Sequence, residues 1–582
     1  MFNKPVKFHR KLFGLTKRSR YEILFFIIFC LSRAPYLGAE MFNTDVWKWK
    51  ARIYDFGSGV FSLDFNKTLQ KYHPGVTLMW AGTTAVKFQG LYCSIIKCPD
   101  EAIDPVGAVF ALNFFQQLFV VLAIGVTLTL AFYPIRKLFG KKYAFTAMLL
   151  LSFEPFFYAL TRVIHLEALM TSFMLASFVW LVFYLEDRKP ARLVTASVFA
   201  GLAILTKSTA IFMIPLSLLA ILGYQRKNLK SVLKTSIMWL LPVLLTYFVL
   251  WPSMWVNPIG TLDYVFIKGV KEVGVEGEHA QIFLGQYTEN PSAIYYPIVM
   301  AFKFSPFLIT GIVFFAFLLK KLLPHFDGDR AKRFVLLATI FTIGYLIEIT
   351  IPTKKLDRYI LPSLASMSLL AGFFYTWLVF VATPMFLTLV ERRVKAGLRA
   401  LLVAGPRLVA RLLELHGDLP ITTATRGVFV IFATLLAYQS FSLTPDYFSY
   451  YNPMFGGLSK GIYTLEPKWI IGQHQVAQYF VDLMKTNNLE PFTQGQSFDN
   501  QKDLSHKLTV AFPEKYYTQI WPFIRKIGGW ATIEDLTPNA KRTAYFVYPV
   551  WDDYSGKETR FKLTYVDSVY LRGVKLYNVY QR

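Results

Sequence analysis

The sequence predicts an α-helical, polytopic membrane protein with about eleven transmembrane helices and a C-terminal α/β domain. The chain has 582 residues, of which 54% are hydrophobic and 17% aromatic, and its mean hydropathy is +0.38. Apolar runs of about 18 residues or more, each long enough to cross a bilayer, recur along most of the chain and then stop. This pattern excludes a soluble protein of this size.

The distribution of charge predicts how the spans are oriented. The formal net charge is +25, which in a soluble chain would suggest a nucleic-acid partner. Here most Lys and Arg residues fall in alternate short loops, as the positive-inside rule describes. We therefore assign the excess charge to topology and to contact with anionic lipid headgroups, and expect the lipid bilayer but no nucleic acid as a partner.

Three regions follow from hydropathy and charge. Residues 1–20 are basic and predict a cytoplasmic N-terminus. Residues 21–451 predict the transmembrane domain, with a long outer loop over residues 37–105 that begins just after the first span. The second and third spans are predicted near 106–133 and 143–160, with a basic turn between them, and two shorter apolar pieces, 193–205 and 210–223, are separated by a break at Lys207. From residue 452 onwards the long apolar runs stop, and a helix-like segment over 476–484 is followed by strand-like segments over 508–512, 544–550 and 561–580. Residues 452–582 therefore predict an extracytoplasmic α/β domain.

The three cysteines are too few for a disulfide scaffold. Cys30 lies in the first predicted span, where it is expected to act as a small apolar residue. Cys93 and Cys98 share the first outer loop. They could pair if that loop lies in an oxidising compartment, and the sequence leaves this open.

Polar residues close to the spans all fall on the predicted outer side. A charged residue near a span costs about 2.5–3.5 kcal/mol on insertion scales, so such residues seldom face lipid. We expect them to converge on one outward-facing cavity. They are Asp45, His73, Arg162, His165, Glu167, Lys207, Glu278, His279, Lys354, Lys355 and Arg358.

The sequence carries no motif for a nucleotide or a structural metal. It lacks a G-x-x-x-x-G-K-[ST] loop, a G-x-G-x-x-G turn and a tight His/Cys cluster. An outward-facing catalyst without a nucleotide pocket needs an activated substrate that reaches it through the membrane. A sugar linked to a polyprenyl phosphate fits this requirement, because Lys and Arg bind phosphate well.

Seven short motifs, taken together in their order along the chain, carry information that no single one of them does. They are Asp45 in the first outer loop, YHPGVTLMW at 72–80, TRVIHLE at 161–167, GLAILTK at 201–207, EH at 278–279 with GQ at 285–286 and YYP at 295–297, RYILP at 358–362, and YYNP at 450–453. In this order they resemble the protein O-mannosyltransferase family and its relatives that use lipid-linked sugars in the C-type glycosyltransferase fold. The resemblance extends over most of residues 20–460.

The resemblance implies a membrane glycosyltransferase (a hexosyltransferase) that uses a polyprenyl-phosphate-linked sugar, mannose in that family. The acceptor would be a hydroxyl of protein Ser/Thr or of an envelope glycan on the outer face of the cell membrane, and the anomeric configuration would be inverted. No cofactor and no metal are implied.

The resemblance also implies roles for particular residues. Asp45 would be the catalytic base, and Glu167 the second catalytic acidic residue, orienting the sugar or a neighbouring cation. The substrate-binding residues would be His73, Arg162, Lys207, His279, Lys354, Lys355 and Arg358, with Arg358 and Lys207 the first candidates for the phosphate. Two positions depart from the family: Val46 stands where a second carboxylate is common, and Glu167 stands where Asp is usual.

Simpler interpretations remain open at this stage. Asp45 could be an N-cap or first-turn carboxylate of an interfacial helix, and Lys354 could be a solvated loop cation. A transporter or flippase that moves a lipid-linked sugar is the alternative from another class, and it would predict inverted repeats with paired broken helices. A catalytically inert relative is the third possibility, since the second carboxylate is missing.

Overall fold

The computed structural model describes residues 19–39, 42–269, 271, 281–402, 421–493, 496–534 and 542–582. These residues are mostly helical. The α-helices are α1 Arg20–Ser32, α2 Thr44–Phe61, α3 Val76–Ile95, α4 Pro105–Ser152, α5 Pro155–Leu160, α6 Glu167–Asp187, α7 Pro190–Thr206, α8 Met213–Gln225, α9 Leu229–Leu250, α10 Ser253–Val256, α11 Pro258–Asp263, α12 Tyr295–Lys303, α13 Pro306–Leu322, α14 Gly328–Thr350, α15 Leu361–Trp377, α16 Thr383–Leu402, α17 Ile421–Phe441, α18 Gly457–Thr464, α19 Gln473–Thr486, α20 Glu514–Lys526 and α21 Lys557–Phe561.

The β-strands of the described residues form two sheets. They are β1 Gln281–Phe283, β2 Gln286–Thr288, β3 Thr509–Phe512, β4 Trp530–Ile533, β5 Tyr545–Pro549, β6 Thr564–Leu571 and β7 Val574–Gln581. Strands β1 and β2 form an antiparallel pair. The larger sheet has the order β4-β3-β5-β7-β6, in which β3 is parallel to β4 and β5 while β7 is antiparallel to β5 and β6.

Eight helical segments of the described residues are long and apolar enough to cross a membrane. The predicted class, a polytopic α-helical membrane protein with a C-terminal α/β domain, is therefore confirmed. The predicted count of eleven spans is not. Helix α1 has 13 residues and α7 has 17, and α4 counts once although two spans were predicted in it. The eight segments are Pro105–Ser152, Glu167–Asp187, Ser208–Gln225, Leu229–Leu250, Pro306–His325, Gly328–Thr350, Asp357–Val390 and Thr422–Phe441.

Helix α4 contains the basic turn that the sequence places between two spans. Its 48 residues are interrupted at Gly140, whose backbone (φ 84°, ψ 167°) is not helical. A glycine tolerates this conformation because it has no Cβ. The Lys and Arg residues on either side of Gly140 mark the end of the bundle that the sequence predicts to be cytoplasmic.

An ionic cluster ties three helices together at this basic end. Glu186 of α6 accepts hydrogen bonds from Arg333 Nη2 of α14 at 2.9 Å and from the Tyr224 hydroxyl of α8 at 2.9 Å. Arg330 Nε lies 3.5 Å from the same carboxylate. The predicted basic segment over residues 1–20 lies almost wholly outside the described residues.

The C-terminal sheet agrees with most of the predicted strands. The segments predicted near 508–512 and 544–550 form β3 and β5. The long segment predicted over 561–580 divides into β6 and β7, which are joined by a tight turn at Arg572 and Gly573, both with positive φ. Strand β4 was not predicted. The exact boundary of this domain at residue 452 stays a prediction.

The C-terminal unit packs directly on α2, the first helix of the predicted outer loop. The indole N–H of Trp47 donates to Thr518 O at 2.6 Å, and the Trp47 ring stacks on Trp521 with 5.6 Å between the centroids. In the same loop Cys93 and Cys98 form a disulfide, which answers the question that the sequence left open. The C-terminal unit therefore sits beside the helix that carries Asp45.

The turn before α3 depends on one glycine. Gly75 has a φ of +63°, and its N–H donates to Thr206 O at 3.0 Å, at the end of α7. A Cβ at this position would lie 2.3 Å from the Trp49 ring. The sequence His73–Pro74–Gly75 thus forms a turn that docks onto α7.

We expect Gly75→Ala to lower the thermal unfolding temperature of the purified protein. A left-handed backbone costs a residue with Cβ about 1–2 kcal/mol, and the contact with Trp49 adds to this cost. Gly90→Ala is the matched control, because a Cβ at Gly90 of α3 would meet nothing within 4 Å. The control should be neutral or stabilising, since Ala favours helix over Gly by about 0.8 kcal/mol. Equal melting temperatures for the two variants would contradict this account.

Candidate active site

Five ionisable side chains meet at the end of the helical bundle that faces the C-terminal unit. Two are carboxylates and three are basic, and four elements or their termini supply them. We call this group the charge cluster. Its members are Asp45, His165, Glu167, Lys207 and Arg358.

Asp45 is the most exposed member of the charge cluster. It lies in the first turn of α2, but Asn43 caps this helix by accepting a hydrogen bond from Val46 N at 2.9 Å. The Asp45 carboxylate is thereby free to bind Arg358, whose Nη2 lies 3.0 Å from Oδ2. Its side chain is 30% exposed, against 10% for that of Arg358. Asp45 is therefore the carboxylate that a substrate can reach.

Glu167 is the buried centre of the charge cluster. It is the first residue of α6, and its Oε1 accepts from Lys207 Nζ at 3.0 Å. Arg358 Nε lies 3.6 Å from the same oxygen, and His165 Nδ1 contacts the other carboxylate oxygen. Its position supports the predicted role of orienting a neighbouring cation.

The contacts close into a ring. Arg358 reaches both carboxylates, and His165 does the same, since its Nε2 lies 3.5 Å from Asp45 Oδ2 and its Nδ1 contacts Glu167. With the imidazole protonated, three cations face two anions, so the cluster carries a formal excess of one positive charge. Such an excess in a poorly hydrated site attracts an anion.

The ionisation of Asp45 and His165 follows from these contacts. Burial alone would raise the pKa of Asp45, but the hydrogen bond from His165 and the charge of Arg358 hold that pKa well below its usual range. Burial would lower the pKa of His165, but Glu167 and Asp45 together raise it above 6.5. The arrangement thus favours a carboxylate at Asp45 and an imidazolium at His165.

Two aromatic rings pack against the cations. The guanidinium of Arg358 lies 4.8 Å from the centroid of Trp469, and the His165 ring meets the same indole edge-on at 5.1 Å. Lys207 Nζ lies 3.6 Å from the Tyr359 ring centroid. Such cation–π contacts favour a charge that has lost part of its water. Neither ring was predicted from the sequence as part of the site.

His73 lies beside the charge cluster and supports it. Its Nδ1 is 3.2 Å from the hydroxyl oxygen of Ser208, the residue after Lys207. Four residues further along the chain, the hydroxyls of Thr77 and Thr206 share a hydrogen bond of 2.6 Å. Burial, and after it the charge of Lys207, lower the pKa of His73 well below 6.5, which favours a neutral imidazole. His73 thus helps to fix the backbone that carries Lys207.

Some of the predicted substrate-binding residues lie elsewhere. Arg162 is fully buried, donates to the carbonyls of Arg33 and Pro35, and is not brought into the charge cluster. Lys355 Nζ donates to Pro352 O at 2.8 Å and holds its own loop. Lys354 is partly exposed, and its charge contributes to the low pKa of His73. The predicted His279, with its neighbour Glu278, lies outside the described residues.

An apolar groove runs along α12 and the last turns of α14. It has a volume of about 340 Å³, and its walls are almost wholly hydrocarbon. Ile343, Ile347 and Ile351 on its α14 side are exposed, as side chains in contact with lipid would be. Tyr296 and Met300 form part of its α12 side. Among the described residues, no group of three or more His, Cys, Asp and Glu is placed to hold a metal ion.

Comparison with known proteins gives one family match. Residues 107–255 match the model of the family described as dolichyl-phosphate-mannose-protein mannosyltransferase. This segment includes His165, Glu167 and Lys207, but neither Asp45 nor Arg358. The resemblance predicted from the sequence is confirmed over this segment, and the predicted enzyme class, a glycosyltransferase, is confirmed with it. No curated protein matches the sequence.

Two solved structures are similar to the chain at low identity. One is ArnT from Cupriavidus metallidurans bound to undecaprenyl phosphate, with 15% identity, a TM-score of 0.43, and coverage of 96% of this chain and 97% of that one. The other is the archaeal oligosaccharyltransferase AglB from Archaeoglobus fulgidus in complex with an inhibitory peptide and a dolichol-phosphate, with 13% identity, a TM-score of 0.40, and coverage of 92% and 70%. At TM-scores below 0.5, neither likeness bears on the site of this chain.

We expect Glu167→Gln to destabilise the protein more than Asp45→Asn does. Removing the Glu167 charge leaves Lys207 and Arg358 as poorly compensated buried cations, a change that typically costs about 3–5 kcal/mol. Asp45 is partly exposed, so water can replace some of its contacts. Thermal unfolding of the purified protein measures both effects. Glu289→Gln, at an exposed position, is the control, and a Glu167→Gln variant as stable as this control would refute the expectation.

The raised pKa of His165 predicts a pH dependence of stability. A basic group whose pKa is raised by folding stabilises the protein fully below its unfolded pKa, near 6.5, and loses that contribution as the pH rises through the folded value. The wild type should therefore lose stability as the pH rises above 6.5, and His165→Gln should lack this component of the loss. The measurement is the unfolding temperature from pH 5.5 to 9 for both proteins. Parallel curves would show that His165 does not bind its proton more tightly in the folded state.

Proposed function

We propose that the protein is a membrane glycosyltransferase of the C-type fold that transfers a hexose, mannose in the first instance, from a polyprenyl-phosphate donor to a hydroxyl acceptor. The observation that carries the proposal is the charge cluster. It presents one partly exposed carboxylate, Asp45, beside buried cations. The apolar groove comes near it at Tyr296, whose hydroxyl interacts electrostatically with that of Tyr359, the residue after Arg358. These are the groups that an acceptor hydroxyl, a phosphate and a polyprenyl chain require.

Asp45 acts as the general base in this mechanism. The acceptor oxygen attacks the anomeric carbon from the side opposite the phosphate and passes its proton to an Asp45 carboxylate oxygen. The bond between the anomeric carbon and the phosphate oxygen breaks, and the electron pair leaves with the polyprenyl phosphate. The product therefore has the inverted anomeric configuration.

The cations stabilise the leaving group. Negative charge grows on the phosphate as its bond to the sugar breaks, so fixed cations bind the transition state more tightly than the donor. Arg358 and Lys207 supply this charge, and Glu167 holds both of them in position.

Arg358 also links donor binding to the basicity of Asp45. Without a donor, the hydrogen bond from His165 and the charge of Arg358 together keep the pKa of Asp45 low. A bound phosphate shares that charge, and the affinity of Asp45 for a proton then rises. The base thus becomes stronger when the donor is in place.

The orientation follows from the positive-inside pattern. The basic loops would lie in the cytoplasm, and the charge cluster and the C-terminal unit would lie on the outer face of the cell membrane. The donor would enter from the bilayer with its tail in the apolar groove. The acceptor, a protein Ser/Thr hydroxyl or an envelope glycan, would approach from the aqueous side.

We expect Asp45→Asn to abolish transfer while donor binding is kept. The assay uses purified protein, polyprenyl-phosphate mannose and separate peptide and glycan acceptors. Loss of a general base lowers kcat by about 10²–10⁴-fold. Asp55→Asn is the matched control, because Asp55 lies on the same helix and is exposed.

Three outcomes would decide against the proposal. Equal turnover of Asp45→Asn and Asp55→Asn would remove Asp45 from the mechanism. Donor binding without product for any acceptor would favour an inert relative. Donor movement across vesicles without transfer would favour a flippase.

A further inference from the structure

Lys303 is a buried cation that the proposed mechanism does not use. It is the last residue of α12, and 4% of its surface is exposed. Its Nζ donates to Tyr450 O at 3.2 Å and lies 3.5 Å from the centroid of the Tyr451 ring. Among the described residues, no carboxylate lies within 4.0 Å of this nitrogen. The charge of Asp357 acts on Lys303 from a longer distance. A buried cation with no carboxylate in contact is costly, so Lys303 requires an explanation beyond packing.

The ammonium group has one donor to spare. It carries three N–H donors, of which the Tyr450 carbonyl takes one and the face of the Tyr451 ring takes another. Lys303 also lines a small pocket between the helical bundle and the segment that leads to the C-terminal unit. The remaining donor can therefore serve a group bound in that pocket.

The size of the pocket restricts what it can hold. Its volume is about 30 Å³, which is room for about two water molecules. A sugar ring does not fit in this space, whereas a carboxylate or the terminal oxygens of a phosphate are of the right size. The pocket is thus suited to a compact polar group at the end of a larger ligand.

The charge of the pocket favours an anion. Lys303, Arg358 and Lys468 line it, and Asp357 is the one acidic residue among its walls. Asp357 accepts a hydrogen bond from the backbone N–H of Arg358 at 2.7 Å. Lys468 lies 3.5 Å from Glu466 and Arg358 lies 3.0 Å from Asp45, and both of these carboxylates lie outside the pocket walls. The walls themselves thus hold three cations and one carboxylate, that of Asp357, whose charge acts on Lys303 without direct contact.

The position of the pocket points to the acceptor. Arg358 and Trp469 line the pocket and also belong to or contact the charge cluster, so the two are neighbours. The apolar groove includes Tyr296 and Met300, which precede Lys303 on α12, but it shares no lining residue with the pocket. A polyprenyl tail in that groove would approach the cluster from the membrane side, whereas the walls at Phe448, Tyr451 and Trp469 face the junction with the C-terminal unit.

We propose that Lys303 forms an anion subsite for the acceptor, and that the acceptor is a glycan carrying a phosphate or carboxylate group near the hydroxyl that is glycosylated. The acidic group binds Lys303 in the pocket, and the hydroxyl then lies towards Asp45, on the other side of Arg358. The subsite rests on the proposed function and narrows its acceptor class to acidic glycans.

The first test measures anion binding without any transfer. Monomethyl phosphate is titrated, with detection by ³¹P NMR, into protein whose donor site is saturated with decaprenyl phosphate. Lys303→Met should weaken binding of monomethyl phosphate at least about tenfold, as expected for a lost hydrogen bond between charged groups. Lys303→Arg should keep it, and Lys460→Met, which removes an exposed lysine, should leave it unchanged. Unfolding temperatures verify that each variant is folded.

Two results of the binding test would overturn the subsite. The first is equal binding of monomethyl phosphate by the wild type and by folded Lys303→Met. The second is binding of monomethyl phosphate to the lipid-free protein but not to protein saturated with decaprenyl phosphate, together with weaker lipid binding in Lys303→Met. The cation would then serve the donor phosphate.

The second test uses the transfer assay. Lys303→Met should raise the KM for a phosphorylated or uronate-containing glycan at least about tenfold and leave the KM for a neutral Ser/Thr peptide unchanged. An equal change for both acceptors, or preferred use of the neutral peptide by the wild type, would refute the acceptor class. Failure of the proposed function has a different signature. The wild type would form no product with any acceptor, yet Lys303→Met would still weaken the binding of monomethyl phosphate.

Discussion

The compensation of buried charge is the constraint on which the rest of the structure depends. Glu167 is almost fully buried, and its carboxylate is satisfied only because His165, Lys207 and Arg358 reach it together. Burying any one of these ions alone would cost several kcal/mol of folding free energy (about 3–5 when a partner is removed), and the mutual attraction of the whole group offsets that cost. Glu167 begins α6, and its partners come from the turn before α6, the junction of α7 and α8, and the turn before α15. The same contacts that satisfy the charges therefore also fix the relative positions of these elements. Asp45 joins the set from α2 and stays partly open to solvent.

Hydropathy and charge were sufficient to predict the class of the fold. Long apolar runs cannot be accommodated in a soluble chain, and basic loops mark one side of the spans. The break at Lys207 was also predictable, since a lysine between two apolar segments interrupts the pattern. The count of spans was not, because α1 and α7 are shorter than a full span and α4 contains the bend at Gly140. The short strand β4 carries too few residues for its alternation to stand out.

The charged members of the site were predictable for a related reason. Asp45, Glu167, Lys207 and Arg358 stand out because charged residues at membrane depth are rare. Their pairing was not, because it depends on helix packing that brings residues 45, 167 and 358 together. Arg162 gives the same sequence signal as Arg358, yet its guanidinium holds the Arg33 and Pro35 carbonyls. Lys303 is the opposite case. Its sequence context is that of any lysine at a helix end whose side chain could snorkel to the membrane surface, and only its burial in the structure distinguishes it.

The contact between Trp47 and Trp521 has a consequence for biosynthesis. Trp47 is two residues from Asp45, and its indole is held by Thr518 and Trp521 of the C-terminal unit. Trp469, which packs on Arg358 and His165, also follows all eight candidate spans of the described residues. The ribosome therefore delivers the spans first and the groups that complete the site last. The site is thus complete only after the C-terminal unit has been synthesised and has packed onto the helices that precede it in the chain.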